Sequence, residues 1–448
     1  MAAVMAARDI EVAAPEQLQE QPTFSSDKSS EADGESQKLD VEAEAQLPPQ
    51  RLILVVMVCM IQGYTLIGPL QHAFKVQMKI GDTGDVAHVF TQAAALVQWG
   101  KFAMTLGQNV LLACLCPMQR VFLAMVGMML GCLIPPFFVY ALGSTWLGWV
   151  FISFGLIGLS LGIFECTFLN VITPLGPLTK SYAIMGFPAA FAIINVIGMS
   201  IVSFGVPVQA LFWYILVCLP IGMAIFARHF VPQLVGGGGK VHASATAQIN
   251  KQAVVWNSLK HSSVWLPQLV PFMLANIVGH FVMEGALPAN FNTFNDRQAP
   301  LLRRDDGPLM TTSQFFVVFF VFVGLGDMLS RRVGYCFRLD SYTSNLIALA
   351  AGIACCVFGM LLTRIGVGVA AWASAFCAFS GQGFNYAVSA KYIDRFVPRE
   401  HNLAAYSFWM FAGSAGAIAG STMVDMLRDW ICHGDSYPHL CMAGHHHR

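Results

Sequence analysis

Residues 145–173 read TWLGWVFISFGLIGLSLGIFECTFLNVIT, a run with a single charged side chain, Glu165. At 1.5 Å per residue, a helix of that length reaches about 43 Å, well beyond the ~30 Å hydrocarbon core of a bilayer. A helix so apolar on every side belongs in lipid rather than on the surface of a soluble globule. Its glycines follow a helical stripe, Gly155, Gly158 and Gly162. In lipid such a stripe lets two helix backbones approach closely.

Working outward, ten further stretches of similar character appear: 52–74, 86–113, 119–141, 181–205, 208–231, 264–287, 311–334, 342–362, 366–390 and 402–426. Over all 448 residues, 56% are hydrophobic and only 11% charged, against about a quarter charged in soluble domains. That leaves too little polar surface for a soluble enzyme. The expected fold class is therefore an all-α polytopic membrane protein with about 11 transmembrane helices. The joins are short except at 288–310 and at 232–263, where Gly236-Gly237-Gly238-Gly239 sits. The latter divides the spans six plus five, the arrangement of a transporter built from two helical bundles. The expected organisation is an acidic tail over 1–50, a six-helix bundle over 51–231, a linker loop over 232–263, a five-helix bundle over 264–427 and a short tail over 428–448.

The formal net charge of zero is unevenly spread. Residues 1–50 hold eleven acidic and three basic side chains, and the remainder 14 acidic and 22 basic. Such a polar front end cannot bury enough apolar area to order itself, and it has no apolar run of a signal peptide. With the N-terminus in the cytoplasm, sixteen Lys and Arg fall in inner segments and eight in outer ones. That bias supports this orientation, and an odd number of spans then puts the C-terminus outside. Cys432 and Cys441 are spaced for a disulfide, and the other ten cysteines lie in or near apolar stretches. No zinc-type spacing, ATP-binding loop, nucleophile elbow or HExxH occurs, so neither an enzyme nor a self-contained pump is indicated, and no cofactor. His445-His446-His447 reads as tail rather than as a metal site.

Charges at bilayer depth are costly and mark function by default. Those within spans are Lys101, Glu165, Glu284, Asp327 and Arg331, with Asp425 closing the last span and His72 and His280 nearby. Lys101 and Glu165 stand at similar depth in spans 2 and 4, so they are candidates either for a structural ion pair or for a solute or proton site. Asp327 and Arg331 are four apart on one helix face, the acid first. Arg331 reads equally as an interfacial anchor. Amides within the spans, among them Gln98 and Asn385, suit a polar uncharged solute.

Several stretches resemble the equilibrative nucleoside transporter family, whose members are major-facilitator-like carriers with a six-plus-five arrangement. Gly326-Asp327-Met328-Leu329-Ser330-Arg331 is similar to the family's Asp-x-x-x-Arg signature. Asn385-Tyr386-Ala387, Pro398-Arg399-Glu400, Phe411-Ala412-Gly413-Ser414-Ala415-Gly416-Ala417 and Glu284-Gly285-Ala286-Leu287-Pro288-Ala289 resemble other family motifs at similar spacing. The resemblance implies transport of nucleosides or nucleobases by alternating access, passively or with a proton gradient, and contact of Asp327 and Arg331 with the sugar. It implies a lipid bilayer, no nucleic-acid partner, and residence in the plasma membrane. Two positions depart from the family: Leu70 stands where a base-contacting Trp is usual, and Glu165 where a Gln is usual. Gly162-Ile163-Phe164-Glu165-Cys166-Thr167-Phe168-Leu169 resembles a pattern of the battenin-like family, which would imply a different solute and an endolysosomal membrane. A non-transporting receptor or scaffold is the third reading.

Overall fold

A computed structural model describes residues 50–67, 74–80, 85–236, 262–286, 298–302, 308–365, 367–424, 426–427 and 430. Leu70, His72, Asp425, Cys432, Cys441, the histidine run, the acidic tail and most of the 232–263 loop lie outside these residues.

Among the described residues eleven long helices follow one another: α1 (Leu52–Thr65), α2 (Asp85–Leu111), α3 (Pro117–Ile134), α4 (Gly148–Ile172), α5 (Pro177–Ala192), α6 (Gln209–Ile225), α7 (Ser262–Phe281), α8 (Thr312–Cys336), α9 (Tyr342–Leu362), α10 (Gly368–Phe396) and α11 (Asn402–Thr422). Their starts obey local chemistry. Proline occupies the first turn of α3 and α5, where its missing N–H costs nothing. The tight join from α4 to α5 turns at Gly176, whose φ of 92° suits a residue without a Cβ. Four rods are extended by wider π turns: α3 at Pro135–Ala141, α5 at Ile193–Gly198, α6 at Phe226–Phe230 and α7 at Val282–Ala286. The first begins at the Pro135-Pro136 pair, and Pro188, Pro220, Pro267 and Pro271 lie inside α5, α6 and α7.

Seven of the rods are long and apolar enough to cross a membrane on composition alone. The described part of α1 is short, and α2, α8 and α10 fall outside that set. The last three carry Lys101, the Asp327–Arg331 pair and the Gln382/Asn385 amides, polar side chains that are themselves buried. On α8 the division is sharp: Val321, Leu325, Leu329 and Val333 form one exposed stripe, while Asp327 and Arg331 on the opposite side are buried.

The helices assemble as two similar bundles. In the first, α4 packs on α2 and α3, and α1 packs on α5 and α6; in the second, α10 packs on α8 and α9, and α7 packs on α11. Between bundles, α5 packs on α8 and α2 on α11, two contacts that exchange when each helix is replaced by the one six places away. Within the α4 stripe Gly158 and Gly162 serve close approach while a Cβ at Gly155 would meet nothing, and on α11 Gly416 and Gly420 serve likewise. A Cβ at Gly158 or Gly162 would strike the Val97 or Lys101 carbonyl of α2, and one at Gly416 or Gly420 the Ile277 or Phe281 carbonyl of α7.

One departure from an all-helical chain lies between α7 and α8. There two short antiparallel strands, β1 (Gln298–Pro300) and β2 (Leu309–Thr311), pair in register Gln298 to Thr311. The Thr311 hydroxyl then caps α8 by accepting from Gln314 N, and the Val369 N–H at the start of α10 donates to Leu301 O.

Candidate functional site

Between the bundles lie two charged centres, one from each. In the first bundle, Gly100, Gly158 and Gly162 bring α2 and α4 together. Lys101, beside Gly100, therefore faces Glu165, about one turn beyond Gly162. Lys101 Nζ lies 2.9 Å from Glu165 Oε2, and both side chains are buried. The approach is off the line a hydrogen bond needs, so Oε2 has no hydrogen-bond partner. Around the pair, Thr105 Oγ1 donates to Lys101 O at 2.7 Å and Thr167 Oγ1 to Gln108 Oε1 at 2.7 Å. Gln98 Nε2 donates to Tyr64 Oη at 3.0 Å, tying α2 to α1. Tyr64 is close enough to Glu165 and Glu284 for their charges to act on it. His280 and Glu284 of the α7 rod stand in the same relation to Lys101.

In the second bundle, α8 carries both charges of its centre. Arg331 Nε donates to Asp327 Oδ1 at 2.6 Å and Nη2 to Oδ2 at 2.9 Å, a bidentate fork within one helix turn. Gly383 of α10 leaves room for this carboxylate, because a Cβ there would meet Asp327 Oδ1 and Ser330 Oγ. Three residues on, the Tyr386 ring lies 4.2 Å from the Arg331 guanidinium carbon, and the Phe187 ring of α5 at 5.7 Å. Nη1 crosses to the other bundle and donates to Ile184 O at 3.2 Å. Arg331 is only 4% exposed, so its side chain is a buried partner of Asp327 and not a snorkelling anchor.

The two centres are counterparts. Gly162 packs on Lys101 with Glu165 three residues beyond it; Gly383 packs on Asp327 with Tyr386 three residues beyond it. They are also electrostatic neighbours, since the charge of Glu165 reaches both Arg331 and Tyr386.

The remaining sequence candidates separate. Asn385 turns toward Gly352 of α9, inside the second bundle, and both of its amide atoms are buried without partners. Its neighbour Tyr386 takes the place beside Arg331. Gln382 instead reaches α7, donating to Asn276 Oδ1 at 3.0 Å while its own Oε1 stays unpartnered. The ten described cysteines are free. Among the described residues, no group of His, Cys, Asp and Glu could hold a metal ion.

Sequence reading missed a second set of contacts between bundles, at the face where α4 turns into α5 and α10 into α11. Lys180 Nζ, at the start of α5, meets Asp394 Oδ1 of α10 at 2.6 Å and Thr173 Oγ1 at 2.9 Å. Tyr406 Oη of α11 donates to Ala390 O at 2.8 Å and lies 3.0 Å from Asp394 Oδ1. Arg332 Nη1 donates to Ser181 Oγ at 3.3 Å, and Asn109 Nδ2 of α2 to Ser407 Oγ of α11 at 3.0 Å. Lys180 and Asp394 stand 214 positions apart, and no local spacing announces them.

No protein-family model and no curated protein matches the sequence. Solved structures do match the fold. The chain is similar to the Major Facilitator Superfamily transporter FucP in its outward conformation, with 14% identity, a TM-score of 0.58, and coverage of 88% of this chain and 95% of that one. It is similar to the proton:xylose symporter XylE at 12% identity and a TM-score of 0.60, covering 85% and 89%. A bacterial homologue of the iron transporter ferroportin, in an outward-facing state, matches at 14% identity and a TM-score of 0.59, covering 86% and 94%. At these identities the likeness establishes the fold, which is that of a major facilitator.

Proposed function

We propose that this protein carries a small polar solute across a membrane by alternating access, and that the solute is a nucleoside or nucleobase. The observation that carries this reading is the meeting of two buried charged centres where the bundles face each other. Such groups are expensive to hold in lipid, and a structural scaffold has no need of them at the surface along which the bundles must move. The donors and acceptors left over suit a neutral polar ring. Arg331 has five N–H donors, of which three are engaged. Glu165 Oε2 lacks a hydrogen bond, and Tyr386 and Tyr64 offer aromatic surface nearby. In this reading Asp327 and Arg331 hold the sugar, and Lys101, Glu165 and Gln98 face the base. Leu70 belongs to the same proposal through the family resemblance alone, and Asn385 through the resemblance and its place among the span amides, although its side chain turns toward Gly352. In this reading the Lys180–Asp394 face is cytoplasmic and the C-terminus outside, as the Lys and Arg bias favours, and residence in the plasma membrane follows from the family resemblance alone.

The test is uptake by protein reconstituted in liposomes, using a labelled panel of nucleosides and nucleobases with and without a pH gradient. Saturable uptake and counterflow of a preloaded panel member are expected. Saturable transport only of solutes outside the panel would keep the carrier and reject the solute class, as a battenin-like reading requires. No saturable transport of any solute would reject both.

A further inference from the structure

The hydrogen bond from Arg331 to Ile184 O has a cause in the sequence of α5. In a regular helix Ile184 O would accept from the N–H four residues later, but that residue is Pro188, which has none. A carbonyl freed in this way within a membrane bundle must be satisfied by a neighbouring helix or by water. Here the neighbour is the guanidinium of the other bundle, at 3.2 Å. The contact belongs to a continuous stripe on α5 that faces the second bundle. Lys180 meets Asp394, Ser181 meets Arg332, Ile184 meets Arg331, and Phe191 meets Phe320 with ring centres 5.6 Å apart.

We infer that Pro188 is a positioning residue for transport: by withholding its N–H it hands the Ile184 carbonyl to Arg331, so that closure of the bundles at this face and solute contact at Arg331 compete for one guanidinium. A solute oxygen that accepts from the Nη1 N–H now directed at Ile184 O displaces that carbonyl. The interface then loses the central member of the stripe, and α5 and α8 are free to part. When the solute leaves, the unpaired carbonyl draws Arg331 back. Binding thus acts on the equilibrium between conformations through a differential contact, as any ligand-driven change must. The competition rests on the reading of Arg331 as a solute contact, whereas the hydrogen bond to Ile184 O does not.

The experiment is hydrogen–deuterium exchange of the full chain in lipid nanodiscs, read at the 385–396 end of α10, with uptake kinetics on the same preparations. Restoring the N–H with Pro188→Ala gives Ile184 O its own helix partner and weakens the hold of Arg331. Exchange at 385–396 then rises about tenfold, the size expected for losing one hydrogen bond to a charged group. Arg331→Lys, which cannot keep the fork and the third bond together, produces a similar rise with Pro188 in place. The double variant rises no further than either single one, because both remove the same contact. Pro220→Ala, which removes a proline from the exposed side of α6, leaves exchange at the wild-type level. Additive rises in the double variant, an equal rise in Pro188→Ala and Pro220→Ala, or wild-type exchange in well-folded Pro188→Ala would each overturn the inference. Adding a transported solute raises exchange in the wild type and has little further effect in Pro188→Ala; a transported solute that leaves wild-type exchange unchanged overturns the competition. If nothing on the panel is transported, the proposed solute class fails on the uptake data, while the solute-free arms still decide whether Pro188 acts through Arg331.

Discussion

The two charged centres occupy equivalent places in the two bundles and are built to opposite plans. Asp327–Arg331 is closed: one helix supplies both partners, the fork is bidentate at 2.6 and 2.9 Å, and the third nitrogen is engaged by Ile184 O. Lys101–Glu165 is open: two helices supply one partner each, a single 2.9 Å approach joins them, and Glu165 Oε2 has no hydrogen bond. Coulomb attraction alone does not make a buried pair stabilising, because desolvation opposes it; satisfied hydrogen bonds decide the balance. The closed centre therefore behaves as a fixed element of its helix, engaged with the opposite bundle. The open one has capacity to spare for a ligand. Similar packing of glycine against a charged helix has produced a bidentate clasp in one bundle and a single charge contact between two helices in the other.

The largest effect that would sharpen this contrast is loss of Arg331. Arg331→Met leaves the Asp327 carboxylate buried and uncompensated, at a cost of about 3–5 kcal/mol. Thermal unfolding of the purified protein is the measurement. Lys101→Met is expected to cost less, about 1–3 kcal/mol, because Glu165 never relied on a full set of hydrogen bonds. Equal losses in the two variants would erase the distinction between closed and open centres.

Next in size is the helix contact that creates the open centre. Gly162→Ala puts a methyl group against the Lys101 carbonyl and costs about 1–3 kcal/mol by overpacking. It also moves Lys101 away from Glu165, so uptake falls more than the amount of folded protein does. Uptake normalised to folded protein checks this, and a proportional fall would mean that the spacing of the pair is of no consequence.

Asp327→Asn keeps the shape of the clasp and removes its charge. Uptake is expected to drop about tenfold, as for loss of one hydrogen bond to a charged group, with protein levels near normal. Glu165→Gln is expected to change uptake only a few-fold, with an unchanged dependence on external pH, because an amide can still present an oxygen to the solute. Lost pH dependence with retained transport would instead make Glu165 a proton carrier. Collapse of the protein in Glu165→Gln, with rescue by Lys101→Met, would make the pair purely structural.

The smallest expected effect is at Lys180–Asp394, where Lys180 is buried but the Asp394 side chain is 23% exposed and Thr173 Oγ1 shares the ammonium. Asp394→Asn is expected to alter the maximal rate of uptake by less than the charge variants at the centres, with the half-saturating concentration unchanged. A changed half-saturating concentration would place this contact in solute recognition.

The helices and the Asp327–Arg331 clasp were legible in the chain because both depend on local spacing, apolar length in one case and four residues in the other. The Lys101–Glu165 meeting could be anticipated as a matter of depth, since two opposite charges in neighbouring spans need one another. What escaped the sequence depends on which way a helix is turned. Asn385 and Tyr386 are adjacent, and helical rotation sends one toward Gly352 and the other toward Arg331. Only the packing of α10 decides which is central. The Ile184–Arg331 bond joins positions 147 apart. The sequence signal for it is Pro188, whose missing N–H frees a carbonyl one turn earlier without saying which side chain takes it up.

The bundles differ in one further respect. In the first, α6 lies along α1; among the described residues, no helix covers α7 in the corresponding way, and Val270 and Leu274 of α7 are exposed. Among the described residues this flank of α7 is therefore left bare, an apolar face without a helical partner. In a bilayer such a face meets acyl chains in place of side chains, so the cohesion of the second bundle, and with it the footing of its clasp, responds to bilayer thickness.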